Sequence, residues 1–217
     1  MYILLPVLIL ILILIYTDIA LATVKQSTGK DLKPSIEWVP FLLNRNTPEQ
    51  GYDLDEYINA KYGDGVSRQA AVRLDQAGRS CGIVFNRQRR IVNTINSHRL
   101  MEFVNNNYGF LIGDKVMNNL FKLYFENAKD ISKDDILLES LDDVEEIKDK
   151  DTIKTFLKTN QFQTEVMNAD KSAKQSRING VPHITFIKDG AKLSSLSGGQ
   201  PAEVFEQVLL DYLENLE

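Results

Sequence analysis

The chain has 217 residues, of which 43% are hydrophobic and 25% are charged, a composition typical of a globular protein with one domain or two small ones. Its 25 basic and 30 acidic residues give a net charge of −5, so there is no basic surplus to attract a nucleic acid. One cysteine and two histidines exclude an internal disulfide and a zinc site built from several cysteines. We therefore expect no nucleic-acid partner and no bound metal.

Residues 1–16 carry no charged side chain, and the first charged residue is Asp18. A helix of these 16 residues would reach roughly 24 Å, less than the ~30 Å hydrocarbon core of a membrane. The pattern also fits a secretory signal peptide, because Ala20 and Ala22 form the small-x-small site that a signal peptidase recognises. A strand over 7–15, buried on both faces, is a third interpretation. Residues 1–22 are therefore predicted to be a hydrophobic leader, a membrane anchor or a substitute strand.

The rest of the chain is predicted to alternate between strands and helices at its two ends and to be helical in between. After a weak helix over 19–28 comes a short strand over 35–41, and then a loop over 44–51. The hydrophobic spacing then predicts a series of helices. They cover 55–62, 67–78, 93–105, 108–126 and 160–177.

Residues 130–151 are rich in Asp and Glu and have apolar residues at helical spacing, which predicts a solvated helix pair. Further along, Asp189 and Gly190 separate two strand candidates and form a strong hairpin signal. Pro201 then opens a helix with a regular apolar stripe. This order indicates an α/β domain interrupted by a helical insertion.

Three short motifs carry little weight. The letters from Gly78 to Gly82 match G-x-S-x-G, but a helix precedes the serine where the nucleophile elbow needs a strand, so we discard a serine hydrolase. Gly63 and Gly65 lack the third glycine of a dinucleotide fingerprint. Cys81, alone in the chain, is predicted to be an inert, buried residue. We interpret His98 and His183 as structural or surface histidines.

Several other motifs agree in order and spacing over about residues 19–216. They are Gly180-Val181-Pro182 before a strand, Ser197-Gly198-Gly199-Gln200-Pro201 before the last helix, Trp38-Val39-Pro40-Phe41-Leu42 with Asn44, Asn93-Thr94 followed by His98-Arg99-Leu100, and Leu120-Phe121 with Tyr124-Phe125 and Asp130-Ile131. Together they resemble the DsbA-like thioredoxin-fold family. Within it they look most like the branch of FrnE-type proteins and 2-hydroxychromene-2-carboxylate isomerases.

The resemblance implies a thioredoxin-like fold formed by residues 23–48 and 160–217, with a helical insertion over 49–159. It places Val181 and Pro182 in the family's cis-proline loop, which faces the substrate. Family members carry a CxxC, or a serine in the glutathione-using relatives, between the first strand and the first helix. This chain has neither, so the first strand and the active-site turn are expected to be absent or replaced. We favour an incomplete product over a substitute strand.

The first functional hypothesis follows from this resemblance. It is a protein of thiol-disulfide oxidoreductase ancestry that is redox-impaired because the CxxC is missing. Val181 and Pro182 would form the ligand-facing loop, and Asn93 and His98 would add polar contacts. The expected ligand is an extended peptide or a thiol-containing small molecule, and no cofactor is expected.

Two alternatives remain open. The first is a glutathione-dependent transferase or isomerase of the kappa-class type, which would use the Thr17 hydroxyl. The second is a membrane-tethered, non-enzymatic binding module, and it depends on residues 1–22. If those residues belong to the native protein, the location is secretory or membrane-bound. The composition of the remainder is that of a cytoplasmic protein.

Overall fold

The computed structural model of the chain describes residues 6–80 and 82–214, and it describes the backbone alone for 6–16, Val66, Ser67, Ala70, Arg73, Leu74, Ala77 and Ser80. The prediction for Cys81 therefore lies outside the described residues. The helices are α1 (Pro6–Thr28), α2 (Leu54–Tyr62), α3 (Val66–Ser80), α4 (Ile95–Tyr108), α5 (Phe110–Phe121), α6 (Asp134–Glu139), α7 (Lys150–Leu157), α8 (Gln163–Gln175) and α9 (Ala202–Glu214). A π-helical turn, Lys122–Glu126, follows α5, and the strands are β1 (His183–Lys188) and β2 (Ala191–Ser197).

The described residues fall into two compact units. Residues 37–177 form the helical unit, and residues 6–36 together with 178–214 form the hairpin unit. The predicted division into a thioredoxin-like domain and an insertion over 49–159 stays a prediction.

The helical unit packs around a core that α4, α5, α6 and α7 build together. Leu100, Val104, Val116 and Leu137 are fully buried in it, and so is Leu141 in the turns after α6.

Both ends of α2 are set by local chemistry. Asp53 caps its first turn by accepting hydrogen bonds from two backbone N–H groups. Gly63, at φ 99°, then closes the helix in a conformation that glycine adopts at low cost.

An irregular segment, residues 82–91, packs against the π-helical turn. The rings of Phe85 and Phe125 meet edge to face, with centroids 6.2 Å apart. Arg89 is only 2% exposed, and its guanidinium carbon lies 5.1 Å from the Phe125 ring centre and 5.9 Å from that of Tyr124. The guanidinium is therefore buried against aromatic faces, where a cation is attracted to the ring electrons.

The hairpin unit has an antiparallel two-stranded sheet, order β1–β2, in which His183 pairs with Ser197 and Lys188 with Ala191. Asp189 and Gly190 have φ values of 50° and 80°, the left-handed pair that a two-residue hairpin turn requires. This confirms the hairpin predicted from the Asp-Gly pair.

One face of this sheet packs on helices. Ile184, Phe186 and Leu196 contact a small core formed by Ala20 of α1 and Phe205 of α9. Because side chains alternate along a strand, His183, Thr185 and Ile187 lie on the opposite face. Thr185 and Ile187 are exposed there.

Three sequence-based predictions of structure are wrong. Residues 7–15 belong to helix α1 and do not form a strand. Residues 35–41 have no strand assignment, because a strand needs a partner and the prolines at 34 and 40 cannot donate to one. In 130–151, α6 ends at Glu139 and α7 begins only at Lys150, so Leu141, Val144 and Ile147, which were predicted to be helical, are buried by the turns between the two helices.

The leader and anchor interpretations of residues 1–22 stay predictions, because most of their side chains lie outside the described residues. Among helices whose side chains the structure describes, none combines the length and the apolar character that a membrane span needs.

Candidate functional site

The loop before β1 carries the predicted ligand-facing residues. The peptide bond between Val181 and Pro182 is cis, and Pro182 is buried. The Pro182 carbonyl accepts a hydrogen bond from the N–H of Gly198 at 2.9 Å, which ties the loop to the end of β2. Proline suits this position because a residue that opens a strand need not donate to the ladder.

The backbone of Val181 is the chemically available part of this loop. Within the described residues, neither its N–H nor its carbonyl has a hydrogen-bond partner, and its side chain is half-buried. One donor and one acceptor on the same residue can pair with one residue of an extended chain, as in strand addition. Binding of a peptide backbone by this loop stays a prediction.

His183 and Ser197 lie directly beside this loop. They are opposite each other across the two strands, and His183 Nδ1 is 2.8 Å from Ser197 Oγ. Burial, followed by the positive charge of Lys192, lowers the pKa of His183. Sequence reasoning gave His183 no role, because the contact with Ser197 depends on the strand register.

Asn93 and His98 lie in the helical unit, at the beginning of α4. Asn93 Oδ1 accepts a hydrogen bond from Ile95 N–H at 3.0 Å, and Asn93 Nδ2 donates one to the Thr47 carbonyl at 3.2 Å. The side chain of Asn93 thus holds the start of α4 to the loop that precedes α2.

The imidazole of His98 is held in one tautomer. Nδ1 lies 2.6 Å from the Thr94 carbonyl, and a carbonyl can only accept, so Nδ1 carries a proton. Burial lowers the pKa of His98, which leaves the ring neutral with an accepting Nε2. Contact of Asn93 or His98 with a ligand stays a prediction.

Thr17 does not lie where its predicted role requires. It is an interior residue of α1, whose first residue is Pro6, so it is neither an N-cap nor a residue of the first turn. Only the first turn of a helix offers free N–H groups that stabilise an oxygen or sulfur anion. The helix therefore cannot activate the Thr17 hydroxyl in the way that the glutathione-dependent alternative requires.

A buried carboxylate that sequence reasoning missed organises the loop after Pro40. The Asp170 side chain is fully buried and accepts hydrogen bonds from Leu42 N–H at 2.8 Å, from Lys174 at 2.9 Å and from Arg45. Burial favours the neutral acid, but these donors outweigh it and hold the pKa of Asp170 below its usual range. The one local signal for this cluster is the i, i+4 spacing of Asp170 and Lys174.

No metal centre is evident in the described part of the chain. Among those residues, His, Cys, Asp and Glu side chains do not gather in groups of three or more that could hold an ion.

Comparison with known proteins identifies the fold and the family of the chain. The family model for the DSBA-like thioredoxin domain matches residues 16–210. A solved structure, the probable DsbA oxidoreductase from Streptomyces coelicolor, superposes with a TM-score of 0.72 and 23% sequence identity over 92% of this chain and 82% of that chain. No curated protein matches. The chain thus has a helix-rich DsbA-like thioredoxin fold with a small two-stranded sheet, and it belongs to the DsbA-like thioredoxin family.

Proposed function

We propose that this chain binds extended peptides at the Val181–Pro182 loop and that it is a redox-impaired member of the FrnE-type branch. The observation that carries the proposal is the unpaired backbone of Val181 beside a buried Pro182. Main-chain pairing gives affinity without a specific side-chain sequence, so an unstructured peptide is a suitable ligand. A small thiol compound such as glutathione offers fewer backbone groups for this pairing.

Redox impairment is supported by the cysteine content. Disulfide exchange by one protein needs a thiolate that forms a mixed disulfide and a second thiol that resolves it. These 217 residues contain one cysteine, Cys81, so they hold no internal pair that could be oxidised and reduced.

Peptide binding is tested with a fluorescently labelled, unstructured eight-residue peptide and its analogue methylated on alternate backbone nitrogens. Methylation removes N–H donors and leaves the side chains unchanged. We expect the methylated peptide to bind about tenfold more weakly, roughly 1.4 kcal/mol, in a polarisation titration. Equal affinity for both peptides would overturn the backbone-pairing mode.

Pro182→Ala tests the location of the site. We expect it to weaken binding of the unmethylated peptide, whereas Thr185→Ser, at an exposed position of β1, should not. Circular dichroism spectra of both variants establish that the fold is retained. A Pro182→Ala variant that is folded and binds like the parent contradicts the proposed site.

Redox impairment is tested by insulin reduction in the presence of dithiothreitol. We expect the chain to give the rate of the buffer alone. A faster rate that Cys81→Ala abolishes would show that the single thiol sustains exchange and would contradict this part of the proposal.

A further inference from the structure

The pair of His183 and Ser197 lies next to the proposed peptide site and has no structural task that requires an ionisable ring. The backbone already joins β1 to β2 at this position, because the two residues are register partners. A hydrogen bond of 2.8 Å engages Nδ1 with the Ser197 hydroxyl. Nε2 has no partner within the described residues, so it is the nitrogen that remains for a ligand.

The position of His183 couples it to the loop. It directly follows Pro182, whose carbonyl is fixed to Gly198, and it is two residues from the unpaired backbone of Val181. A peptide strand that pairs with Val181 would run next to His183, the first residue of β1. His183 is half-buried there, on the face that the α1 and α9 core does not cover. A side chain of that strand can therefore reach the imidazole.

The charge that acts on the ring is positive. Lys192 of β2 is the charged side chain whose field acts on His183, and residues 198–201, Gly-Gly-Gln-Pro, carry no charge. The neighbouring β1 side chains on the same face, Thr185 and Ile187, are uncharged. Helices α1 and α9 pack on the other face, through Ile184 and Phe186.

We propose that His183, oriented by Ser197, donates a hydrogen bond from Nε2 to a carboxylate of the extended peptide bound beside Val181, and so gives the site a preference for acidic peptides. The inference rests on the proposed function. A protonated imidazole donates from both nitrogens, Nδ1 to the Ser197 oxygen and Nε2 to the ligand. The acceptor is a carboxylate rather than a thiolate. Near neutral pH a carboxyl group is already ionised, with a pKa near 4, whereas a thiol, with a pKa near 8.5, is still protonated.

The inference predicts a pH dependence whose sign can be worked out. Burial and the Lys192 charge lower the pKa of His183 in the free protein, whereas a bound carboxylate raises it, so a proton is taken up on binding. Affinity should therefore rise as the pH falls through the pKa of His183 in the complex and level off below its pKa in the free protein, and protonation of the peptide carboxylate near pH 4.3 should lower it again. A single coupled proton limits the slope to about tenfold per pH unit.

The experiment is a double-mutant cycle between protein and peptide. Two labelled peptides that differ by one Glu-to-Gln change are titrated with the parent chain, His183→Gln and Ser197→Ala at pH 5.5 and pH 8. We expect the parent to bind the Glu peptide about tenfold more tightly than the Gln peptide at pH 5.5, and the preference to vanish at pH 8. His183→Gln should remove the preference at both pH values, and Ser197→Ala should reduce it.

The outcomes separate this inference from the proposed function. Pro182→Ala should weaken both peptides by the same factor, since it acts on backbone pairing. If neither peptide binds the parent, the peptide-binding function itself fails. If both bind with equal affinity at pH 5.5, or if folded His183→Gln keeps the preference for Glu, the role of His183 is overturned while peptide binding stands.

Discussion

The carboxylate of Asp170 and the backbone of Leu42 are joined by a hydrogen bond of 2.8 Å, across 128 residues of sequence. Lys174 strengthens this connection, because its ammonium group donates both to Asp170 and to the Leu42 carbonyl, each at 2.9 Å. Asp170 thus accepts from the Leu42 N–H, and Lys174, which also bonds to Asp170, donates to the Leu42 carbonyl. The loop that follows Pro40 is held to α8 by charge as well as by packing.

Replacing Asp170 by Ala should destabilise the chain strongly, because it leaves Arg45, Lys174 and the Leu42 N–H without their acceptor. Breaking a buried ion pair costs about 3–5 kcal/mol. Arg45 is 32% and Lys174 38% exposed, so solvent screens them and we expect a loss of about 3 kcal/mol. Urea unfolding followed by circular dichroism measures this loss in the free energy of unfolding. Asp142→Asn, which breaks the exposed pair with Lys150, is the matched control and should leave the midpoint nearly unchanged. A similar effect of both variants would contradict the role of Asp170.

The stability of the chain should fall in acid partly through Asp170. Its pKa in the folded state lies below the value of about 3.9 in an unfolded chain, so the unfolded state binds the proton more tightly. The stabilisation is therefore present above about pH 4 and is lost as the pH falls through the folded pKa. Unfolding free energies of the parent and of Asp170→Asn, measured between pH 6 and pH 3, should converge as the pH falls. Parallel curves would show that Asp170 does not contribute.

The two histidines should titrate at low pH in the folded chain. Burial lowers the pKa of both His98 and His183, so each should lie below about 6.5. Because His98 binds a proton less tightly when folded, its contribution to stability is complete above about pH 6.5 and declines below it. Proton NMR of the imidazole C–H resonances gives both pKa values, and His183→Gln assigns them, since the chain has two histidines. A His98 pKa at or above 6.5 contradicts the buried, neutral ring.

Gly113 marks a close approach between α4 and α5. A Cβ at this position would lie far inside contact distance of Asn105 Oδ1. We expect Gly113→Ala to lower the free energy of unfolding by about 1–3 kcal/mol, the usual cost of overpacking. The additional change Asn105→Ala removes the clashing oxygen and should restore part of that loss in thermal unfolding. If the two changes are simply additive, Asn105 is not the obstacle.

Tyr124 should ionise only at strongly alkaline pH. Its hydroxyl donates to the Arg90 carbonyl at 2.8 Å, and burial raises its pKa to about 12. The unfolded chain loses this proton near pH 10, so stability contributed by Tyr124 is present below that value and declines as the pH rises towards 12. Titration at 295 nm should show a late ionisation step in the parent that is missing in Tyr124→Phe. An unchanged alkaline curve would show that the hydroxyl is not shielded.

Sequence patterns predicted those elements whose causes are local. The hairpin follows from Asp189 and Gly190, because a two-residue turn needs left-handed backbone at both positions. The ends of α1 and α2 follow in the same way from Gly29 and Gly63, which have positive φ values. These elements need no knowledge of distant residues.

The structural features that were predicted wrongly or missed are those that depend on residues distant in the sequence. The strand predicted at 35–41 depends on a neighbouring strand that the sequence pattern cannot supply, and the hydrogen bond between Asp170 and Leu42 depends on tertiary packing. Within the candidate site, Val181 and Pro182 were predicted by family resemblance. The part played by Ser197 became visible only with the strand register.

The π-helical turn after α5 limits how this part of the chain can change in length. Asn127 N–H bonds to the Lys122 carbonyl, five residues back, at 3.1 Å. Removing one residue would restore α-helical spacing but would rotate every following side chain by about 100°. Phe125 would then leave Phe85 and the guanidinium of Arg89. Homologous chains that keep this buried arginine should therefore accept few insertions or deletions between 121 and 126.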